Sequence, residues 1–267
     1  MRIALGQLAA GPDKQSNLER MSRFTGQAAR AGADLILFPE AAMAGGNPGE
    51  DLVPLAESLD GTFVTGLQEA AARQGVAIVA GIFEPGCGDR VFNTVVAIRQ
   101  DGELIGSYRK IHLYDAFGGR ESDRIQPGDG QTLVFELGDL KLGVMTCYEL
   151  RFPEMARHLC DQGAQVLLLP AAWVRGPLKE MHWETLARAR AIENTAYVAT
   201  AGQVSQRYTG LSAIFDPMGV AVVSAGEEEA VVTGEVTVDR LAEVRRVNPS
   251  LKMRRPDVYA GWTPVRS

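Results

Sequence analysis

The chain has 267 residues, 46% of them hydrophobic, and its 27 Lys and Arg against 33 Asp and Glu give a formal net charge of −6. This negative balance discourages electrostatic binding to nucleic acid or to an anionic membrane surface, and it favours a small-molecule substrate. The opening apolar run is too short for a secretory signal, and no segment approaches the roughly 20 apolar residues of a membrane span.

The cysteines and the absence of certain motifs indicate the redox environment and the cofactor requirement. Cys87, Cys147 and Cys160 form neither a paired disulfide framework nor a CxxC unit, so we expect a reducing, cytoplasmic environment. The sequence has no GxGxxG after a strand, no Walker loop and no His/Cys cluster with metal spacing, so we expect no cofactor and no metal. Because no repeat or linker divides the chain, we expect one domain over residues 1–267.

The first half of the chain alternates predicted strands and helices. The strand IALGQL precedes a helix in which residues 16–19 (SNLE) have the form of a capping box, and Gly32 marks its end. DLILFPE predicts a strand buried on both faces, TFVTGLQEAAARQG a helix that Gly75 ends, and VAIVAGI the next strand. The order β-α-β-α-β favours an α/β fold.

The second half begins with VFNTVVAI and LIGSYRK, which flank a short turn at residues 100–103 and predict an antiparallel hairpin. The strands TLVFEL and KLGVMTC lead to a helix from about Pro153, which Gly163 ends, and then to the strand QVLLLP. After the helix EMHWETLARARAIENT and the strand YVATAG, the segments LSAIFD, VAVVS and VVTGEV predict a β-meander. Mixed sheets with outer helices are indicated, in one sheet or two.

Three chemically capable residues each stand where a predicted strand stops: Glu40 ends LILFPE, Lys110 ends IGSYRK and Cys147 ends LGVMTC. Strand ends bound the ligand crevice of open α/β sheets, so residues far apart in sequence can converge there. Since a free thiol is little ionised at neutral pH, Glu40 could act as its base. Lys110 could then stabilise the thiolate and an oxyanion, assisted by the backbone N–H of Tyr148.

Each of these residue types also has common roles other than catalysis. Cysteine is often a small buried hydrophobe, which is our interpretation of Cys87 and Cys160. Glutamate or lysine at a strand end can simply be solvated or guard an edge strand. A Cys–His pair would also activate a thiol, but no local signature marks any of the three histidines, His112, His158 and His182.

Substrate contacts are expected close to the same strand ends. Tyr148 follows the cysteine directly, and Trp173 follows the strand QVLLLP. Arg151 and Arg175 are candidates for binding a substrate carboxylate, because the planar fork of arginine matches that group. A surface salt bridge is an equally good interpretation of either arginine.

The segments FPE, YRKIHLYD and CYELRFPE resemble the three signature segments of the nitrilase superfamily, and the similarity continues through HWETLARARAIEN, GLSAIFDPMG and RRPDVY. The resemblance implies a Glu-Lys-Cys triad at Glu40, Lys110 and Cys147, with Glu121 as a second glutamate that positions substrate. It also implies a four-layer α-β-β-α sandwich that forms a homodimer or higher homo-oligomer through the C-terminal segment from about residue 248.

Within the superfamily, IHLYD, CYELRFPE, HWE and RRPDVY are most similar to the Nit branch, whose members hydrolyse deaminated glutathione or α-ketoglutaramate. The resemblance implies hydrolysis of a linear carboxamide to an acid and ammonia. Two departures leave the substrate open: Leu211 stands where many Nit-type proteins carry histidine, and RGPLKEMHW is a few residues longer than usual. An N-carbamyl-amide hydrolase, an acyltransferase and a catalytically silent binding domain are the alternatives.

Overall fold

The computed structural model describes residues 1–45 and 51–262, whose strands form two six-stranded sheets. The first sheet contains β1 (Arg2–Gln7), β2 (Leu35–Leu37), β3 (Ala77–Pro85), β4 (Val91–Ile98), β5 (Leu104–Arg109) and β12 (Ala230–Glu235), in the order β12-β1-β2-β3-β4-β5. The second contains β6 (Val134–Leu137), β7 (Leu140–Val144), β8 (Val166–Ala171), β9 (Tyr197–Gly202), β10 (Ala213–Phe215) and β11 (Ala221–Ser224), in the order β11-β10-β9-β8-β7-β6.

The helices connect these strands and cover the sheets. They are α1 (Lys14–Arg30), α2 (Thr62–Gln74), α3 (Pro153–Asp161), α4 (Lys179–Asn194), α5 (Val238–Val247), α6 (Ser250–Met253) and α7 (Pro256–Tyr259). Short 3-10 turns lie at Val53–Leu55, Glu121–Asp123 and Cys147–Arg151. Among the described residues, none of the helices is long and apolar enough to cross a bilayer.

Both sheets follow one plan, in which three parallel strands are joined by helices and extended by a hairpin. In the first sheet β1, β2 and β3 run parallel, and β4 and β5 continue it antiparallel. In the second, β7, β8 and β9 run parallel, and β10 and β11 continue it antiparallel. Because both central strands, β2 and β8, are buried on both faces, helices must cover their outer sides.

Two clusters of buried apolar side chains hold the layers together. One fills the space between the sheets and includes Leu5, Leu37, Leu142 and Leu168, and it extends to the side chains of α3 and α4. The other lies on the outer face of the first sheet, where Ile36 and its neighbours pack against α1 and α2. The four-layer α-β-β-α sandwich that the resemblance implied is therefore confirmed.

The predicted start of the first helix is wrong by three residues. The helix begins at Lys14, and the carboxylate of Asp13 accepts a hydrogen bond of 2.8 Å from the backbone N–H of Ser16. An aspartate upstream provides an earlier N-cap, so residues 16–19 lie within the helix and do not form its capping box. The predicted end of α2 at Gly75 and start of α3 at Pro153 are confirmed.

The predicted C-terminal meander is also wrong, in its last strand. β10 and β11 pair antiparallel as expected, but β12 crosses to the first sheet and pairs antiparallel with β1. There it covers the β1 edge, which would otherwise present unpaired backbone groups. Strand alternation in the sequence identifies each strand but not the sheet that it joins, which is why the pattern misled.

Candidate active site

A cavity of about 180 Å³ lies where the strand ends of the two sheets meet. Glu40, three residues after β2, and Lys110, directly after β5, reach it from the first sheet. Cys147, three residues after β7, reaches it from the second sheet, and Glu121 enters from the segment that follows Lys110. The structure thus brings together the residues that the sequence placed at separate strand ends.

The turn that carries Cys147 is strained and well anchored. Cys147 opens a 3-10 turn with φ of 47°, a left-handed conformation that a residue with a side chain seldom adopts. The fully buried carboxylate of Glu149, in the same turn, accepts hydrogen bonds from the backbone N–H groups of Thr146 at 2.7 Å, Ile111 at 3.1 Å and His112 at 3.2 Å. One carboxylate therefore ties the cysteine turn to the segment after Lys110.

The Glu40 carboxylate, in a residue only 4% exposed, has a partner on each oxygen. Oε1 accepts hydrogen bonds from Lys110 Nζ at 2.8 Å and from Asn93 Nδ2 at 2.7 Å. Oε2 accepts a hydrogen bond of 2.8 Å from the backbone N–H of Ala172, which follows β8. Cys147 lines the same cavity, and its thiol and this carboxylate are close enough for each to influence the pKa of the other. Glu40 is thereby held between the two sheets against the sulfur.

The backbone around Glu40 fits closely against the neighbouring strand. A Cβ atom on Gly81, in β3, would lie 2.7 Å from the Cα atom of Glu40 and 2.6 Å from the backbone nitrogen of Ala41. Ala41 itself has φ of 52°. Only glycine leaves room for the sharp turn that points Glu40 into the cavity.

Lys110 joins two glutamates. Its Nζ donates to Glu40 at 2.8 Å and to the two oxygens of Glu121 at 3.1 and 2.9 Å, and the residue is 2% exposed. Glu121 also accepts from Asn93 Nδ2 at 3.2 Å and from the backbone N–H of Tyr114 at 2.6 Å. The ammonium has three donors and all three are used, so its position is fixed before any substrate arrives.

These charges determine the protonation states. Burial, the largest influence, opposes ionisation of Glu40, but the charge and hydrogen bond of Lys110 outweigh it and lower the pKa of Glu40. Burial also opposes the charged form of Lys110, yet Glu121 and Glu40 raise its pKa well above the ordinary value. Burial and the charge of Glu40 raise the pKa of the Cys147 thiol well above its usual value, against the effect of Lys110. The resting state is a thiol beside a carboxylate and an ammonium.

The predicted substrate contacts divide into two groups. Tyr148 and Trp173 line the cavity, and the N–H of Tyr148, in the first turn after Cys147, is of the kind that lacks an acceptor within its own helix. Among the described residues that line the cavity, neither Arg151 nor Arg175 is present. Their binding of a substrate carboxylate stays a prediction without support from the geometry.

Each of the two arginines has another environment. Arg175 Nε donates to the backbone carbonyls of Ser205 and Tyr208, at 3.3 and 3.0 Å, and its guanidinium pairs with Glu227 at 3.2 Å. Arg151 lies over the ring of Trp173, with 4.9 Å between its Cζ and the ring centroid. Arg175 thus braces a surface loop, and Arg151 stacks behind the cavity wall.

The three histidines have partners other than the cysteine within residues 1–45 and 51–262. His112 stacks on Phe152 at a centroid distance of 4.0 Å, His158 approaches the side chain of Gln162, and His182 approaches Arg151. β5 ends at Arg109, so His112 does not continue that strand towards the sulfur. The geometry supports Glu40, and no histidine, as the neighbour of the thiol.

Sequence reasoning missed several groups that shape the site. Asn93, which bridges Glu40 and Glu121, stands as a lone amide in the apolar strand VFNTVVAI, and that contrast could have identified it. Ala172 contributes only its backbone N–H, for which the sequence carries no signal. Tyr114 and Lys179 also line the cavity, although neither belongs to a strand end.

A four-layer sandwich with a buried thiol, carboxylate and ammonium in one cavity defines a hydrolase that uses cysteine as its nucleophile. Residues 2–246 match the family model described as "Carbon-nitrogen hydrolase", and the chain belongs to that family. The nitrilase-superfamily resemblance is thereby confirmed.

Two curated relatives and one set of solved structures are informative. The chain is 41% identical to the deaminated glutathione amidase of Escherichia coli O157:H7, over 96% of this chain and 97% of that protein. It is 34% identical to the omega-amidase NIT2 of Mus musculus, over 97% and 96%. The NitN amidase of Nesterenkonia sp. AN1 has a similar structure, with a TM-score of 0.86 at 28% identity, over 98% of this chain and 100% of that chain.

Further structures of the Nesterenkonia amidase bear on the chemistry of such a cysteine. One is described as the product of Michael addition of acrylamide at the active-site cysteine of a glutamate-to-glutamine variant. Another holds butyramide in a cysteine-to-alanine variant. The family match and these relatives identify the present chain as a hydrolase of carbon–nitrogen bonds.

Proposed function

We propose that this amidase acts on amides of a short 2-oxo dicarboxylic acid. Deaminated glutathione, for which one curated relative is named, and α-ketoglutaramate, which the resemblance to the Nit branch implies, contain the same 2-oxoglutaryl acyl group. Only the amine differs between them. The observation that carries the catalytic assignment is the meeting of Cys147, Glu40 and Lys110 in one cavity, where Lys110 Nζ donates to Glu40 at 2.8 Å.

In the first half-reaction Glu40 accepts the thiol proton as the sulfur of Cys147 attacks the amide carbonyl carbon. The carbonyl oxygen becomes an oxyanion, which Lys110 and the backbone N–H of Tyr148 stabilise. Lys110 makes two contacts to Glu121, so it can redirect one donor to the oxyanion while the other holds its position. Glu40 then returns the proton to the departing nitrogen, and a thioester on Cys147 is left.

In the second half-reaction Glu40 removes a proton from water, and the water oxygen attacks the thioester carbonyl. The oxyanion is stabilised by the same donors. Its collapse releases the carboxylic acid and gives the proton back to the sulfur, which restores the resting thiol. Glu121 holds the ammonium and, through the backbone of Tyr114, fixes the adjacent wall of the cavity. It is a positioning residue in this scheme.

The test compares wild type with Cys147→Ala and uses Cys160→Ala as the matched control, because Cys160 is a partly buried cysteine outside the cavity. The substrates are α-ketoglutaramate, deaminated glutathione, butyramide and an N-carbamyl amino acid, and release of the amine is measured. We expect wild type to turn over the two 2-oxo amides. Removal of the nucleophile should lower turnover by at least about 10⁴-fold, and Cys160→Ala should change it less than about twofold.

Other outcomes would replace the proposal. Carbon dioxide together with ammonia from the carbamyl compound alone would identify a carbamyl-amide hydrolase, and transfer of the acyl group to an added amine would identify an acyltransferase. Silence on every amide, with Cys147 unreactive towards iodoacetamide, would indicate a binding domain.

We also propose a cytoplasmic homodimer joined through the segment from about residue 248. Exposed apolar side chains on that segment support the interface: Met253 is 73% exposed and Trp262 68% exposed. A thiol nucleophile with three unpaired cysteines suits a reducing compartment. A monomeric mass in sedimentation equilibrium would contradict the dimer.

A further inference from the structure

We propose that the ammonium of Lys179 binds the carboxylate of the substrate's acyl chain and so selects anionic amides over neutral ones. The inference rests on the proposed function, because it concerns the end of the acyl group farthest from the bond that is cut. Lys179 lies in the segment RGPLKEMHW and lines the same cavity as Cys147.

The backbone holds this lysine firmly. Lys179 is the first residue of α4, and Leu178 before it has φ of 62°. The N–H of Lys179 donates to the carbonyl of Gly176 at 3.0 Å, and its carbonyl accepts from Nε1 of Trp173 at 2.8 Å. The loop after β8 is thereby closed on itself, and Trp173, a wall of the cavity, is fixed to the same residue that supplies the ammonium.

The environment of the ammonium is aromatic. Lys179 is 4% exposed, and its Nζ donates one hydrogen bond of 2.8 Å to the phenol oxygen of Tyr114. It lies 4.7 Å from the ring centroids of Tyr114 and Phe117 and 5.6 Å from that of Trp173. In the part of the chain that the structure describes, no Asp or Glu oxygen comes within 4.0 Å of this nitrogen.

A lysine in this state is unusual, because a buried charge ordinarily has a charged partner. The rings stabilise the cation through their faces, but they leave two of its three N–H donors without an oxygen acceptor. A carboxylate that enters the cavity would supply both the opposite charge and the missing acceptors. The free protein thus holds a buried cation that a carboxylate of the bound substrate would neutralise.

The charges of the cavity also give the substrate a direction. At the reacting end Glu40 and Glu121 carry two negative charges against the single positive charge of Lys110, so a second carboxylate is repelled there. Tyr114 spans the two ends: its backbone N–H donates to Glu121 at 2.6 Å, and its phenol contacts Lys179. One tyrosine therefore separates them, which limits the acyl group to a short chain.

Three arginines also line the cavity, namely Arg120, Arg124 and Arg207. None of them is buried: Arg120 and Arg207 are exposed, and Arg124 is intermediate. Arg120 in addition pairs with Asp123 at 3.3 Å. A hydrated cation at the rim attracts anions but discriminates weakly among them, whereas a desolvated one interacts strongly with the group placed against it. Burial is therefore what distinguishes Lys179.

The experiment measures kcat and KM for α-ketoglutaramate, which is anionic, and for butyramide, which is neutral. The variants are Lys179→Met, which keeps the length and removes the charge, and Lys179→Arg, which keeps a cation. Lys141→Met is the matched control, since Lys141 lies on β7 outside the cavity and makes only a half-exposed ion pair with Glu136.

For Lys179→Met we expect KM for α-ketoglutaramate to rise roughly 10- to 100-fold, the range of a charge-assisted hydrogen bond, while kcat changes little. Butyramide hydrolysis should change less than about twofold, Lys179→Arg should recover part of the loss, and Lys141→Met should match wild type. Equal losses on both amides would assign Lys179 to the support of Trp173 and Tyr114 and would overturn the proposal, as would an unchanged KM for the anionic amide.

A second readout does not depend on turnover. We expect 2-oxoglutarate to slow the alkylation of Cys147 by iodoacetamide in wild type and in Lys141→Met but not in Lys179→Met or Lys179→Gln, the last serving if the methionine variant fails to fold. If no amide is hydrolysed but this protection depends on Lys179, the proposed function fails and the anion site stands. If the amides are hydrolysed and protection ignores Lys179, the anion site fails and the function stands.

Discussion

Two lysines line the same cavity with almost the same burial, Lys110 at 2% exposed and Lys179 at 4%, yet their surroundings differ completely. Lys110 donates to three carboxylate oxygens, whereas Lys179 donates to one phenol and otherwise faces aromatic rings. The first is saturated by the protein itself. The second has N–H donors without an acceptor. The two lysines therefore differ in how many hydrogen-bond acceptors the protein provides, and not in their degree of burial. This number distinguishes the catalytic lysine from the lysine that we propose recognises substrate.

The two lysines also occupy different kinds of backbone. Lys110 directly follows β5, the edge strand of a six-stranded sheet, and its backbone N–H donates to the carbonyl of Asn93 on the neighbouring β4 at 2.8 Å. Lys179 stands at the end of the loop between β8 and α4, where length can vary without disturbing either sheet. If catalytic residues follow rigid strands and the residue that selects the substrate lies at the end of a loop, changes in the loop could adapt the same fold to different amide substrates.

Among the substitutions that test the difference between the two lysines, we expect Lys110→Met to have the largest effect on stability and hydrolysis. Without the ammonium, Glu40 and Glu121 are left buried without their shared counter-ion, and the oxyanion loses a donor. Removing one partner of a buried ion pair costs about 3–5 kcal/mol of unfolding free energy, and hydrolysis should fall by at least about 10³-fold. Urea unfolding and amide hydrolysis measure the two effects.

Lys141→Met again provides the reference, because the loss of an exposed pair is worth at most about 1 kcal/mol. If Lys110→Met unfolds at the same urea concentration as that control, the ion pairs of Lys110 with Glu40 and Glu121 do not stabilise the fold.

A smaller effect on the rate of hydrolysis is expected at acid pH, where Glu40, the partner of Lys110, becomes protonated. Because the folded protein lowers the pKa of Glu40, the base form persists below the ordinary glutamate value of 4.5. The rate should therefore still be level at that pH and should fall, roughly tenfold for each further unit, only below the lowered pKa of Glu40. The thiol adds no change below pH 9.0, since its pKa is raised.

Initial rates across this range, with far-UV circular dichroism as the control for folding, check the expectation. An acid limb with its midpoint near the ordinary histidine value of about 6.5 would instead indicate a histidine as the base.

The comparison of the two lysines also shows which parts of the site can be predicted from the sequence. Glu40, Lys110 and Cys147 each follow a strand whose apolar pattern is clear, so their convergence follows from the topology. The aromatic surroundings of Lys179 depend on how the segment containing Tyr114 and Phe117 folds back over α4, and no local pattern encodes that contact. Of the residues predicted to contact substrate, Tyr148 and Trp173 line the cavity, whereas Arg151 and Arg175 do not, and substrate contact itself stays a prediction for all four.

The choice of arginine as the carboxylate ligand illustrates the same limit. Arg175 has the right chemistry, but its donors are used by loop carbonyls and by Glu227. Whether a charged side chain is already paired is a property of the folded chain and not of its sequence neighbours. The meander failed for a related reason, because the partner of β12 is β1, more than 200 residues away.

The smallest expected effect is the stability of Lys179→Met. Methionine removes a buried ammonium that lacks a carboxylate partner, and it gives up one phenol hydrogen bond and the contacts with three rings. The gain from no longer burying a charge and the loss of about 0.5–2 kcal/mol of cation–π attraction should nearly cancel. We expect the free energy of unfolding to stay within about 1 kcal/mol of wild type.

Urea unfolding in the presence of 2-oxoglutarate sharpens this result. A ligand that binds only the folded state adds stability in proportion to the logarithm of its concentration over Kd. Wild type should therefore gain stability with 2-oxoglutarate, and Lys179→Met should not, although the two proteins unfold alike without it. If Lys179→Met is instead destabilised as much as Lys110→Met, then Lys179 is already satisfied in the free protein, and the two lysines do not differ in kind.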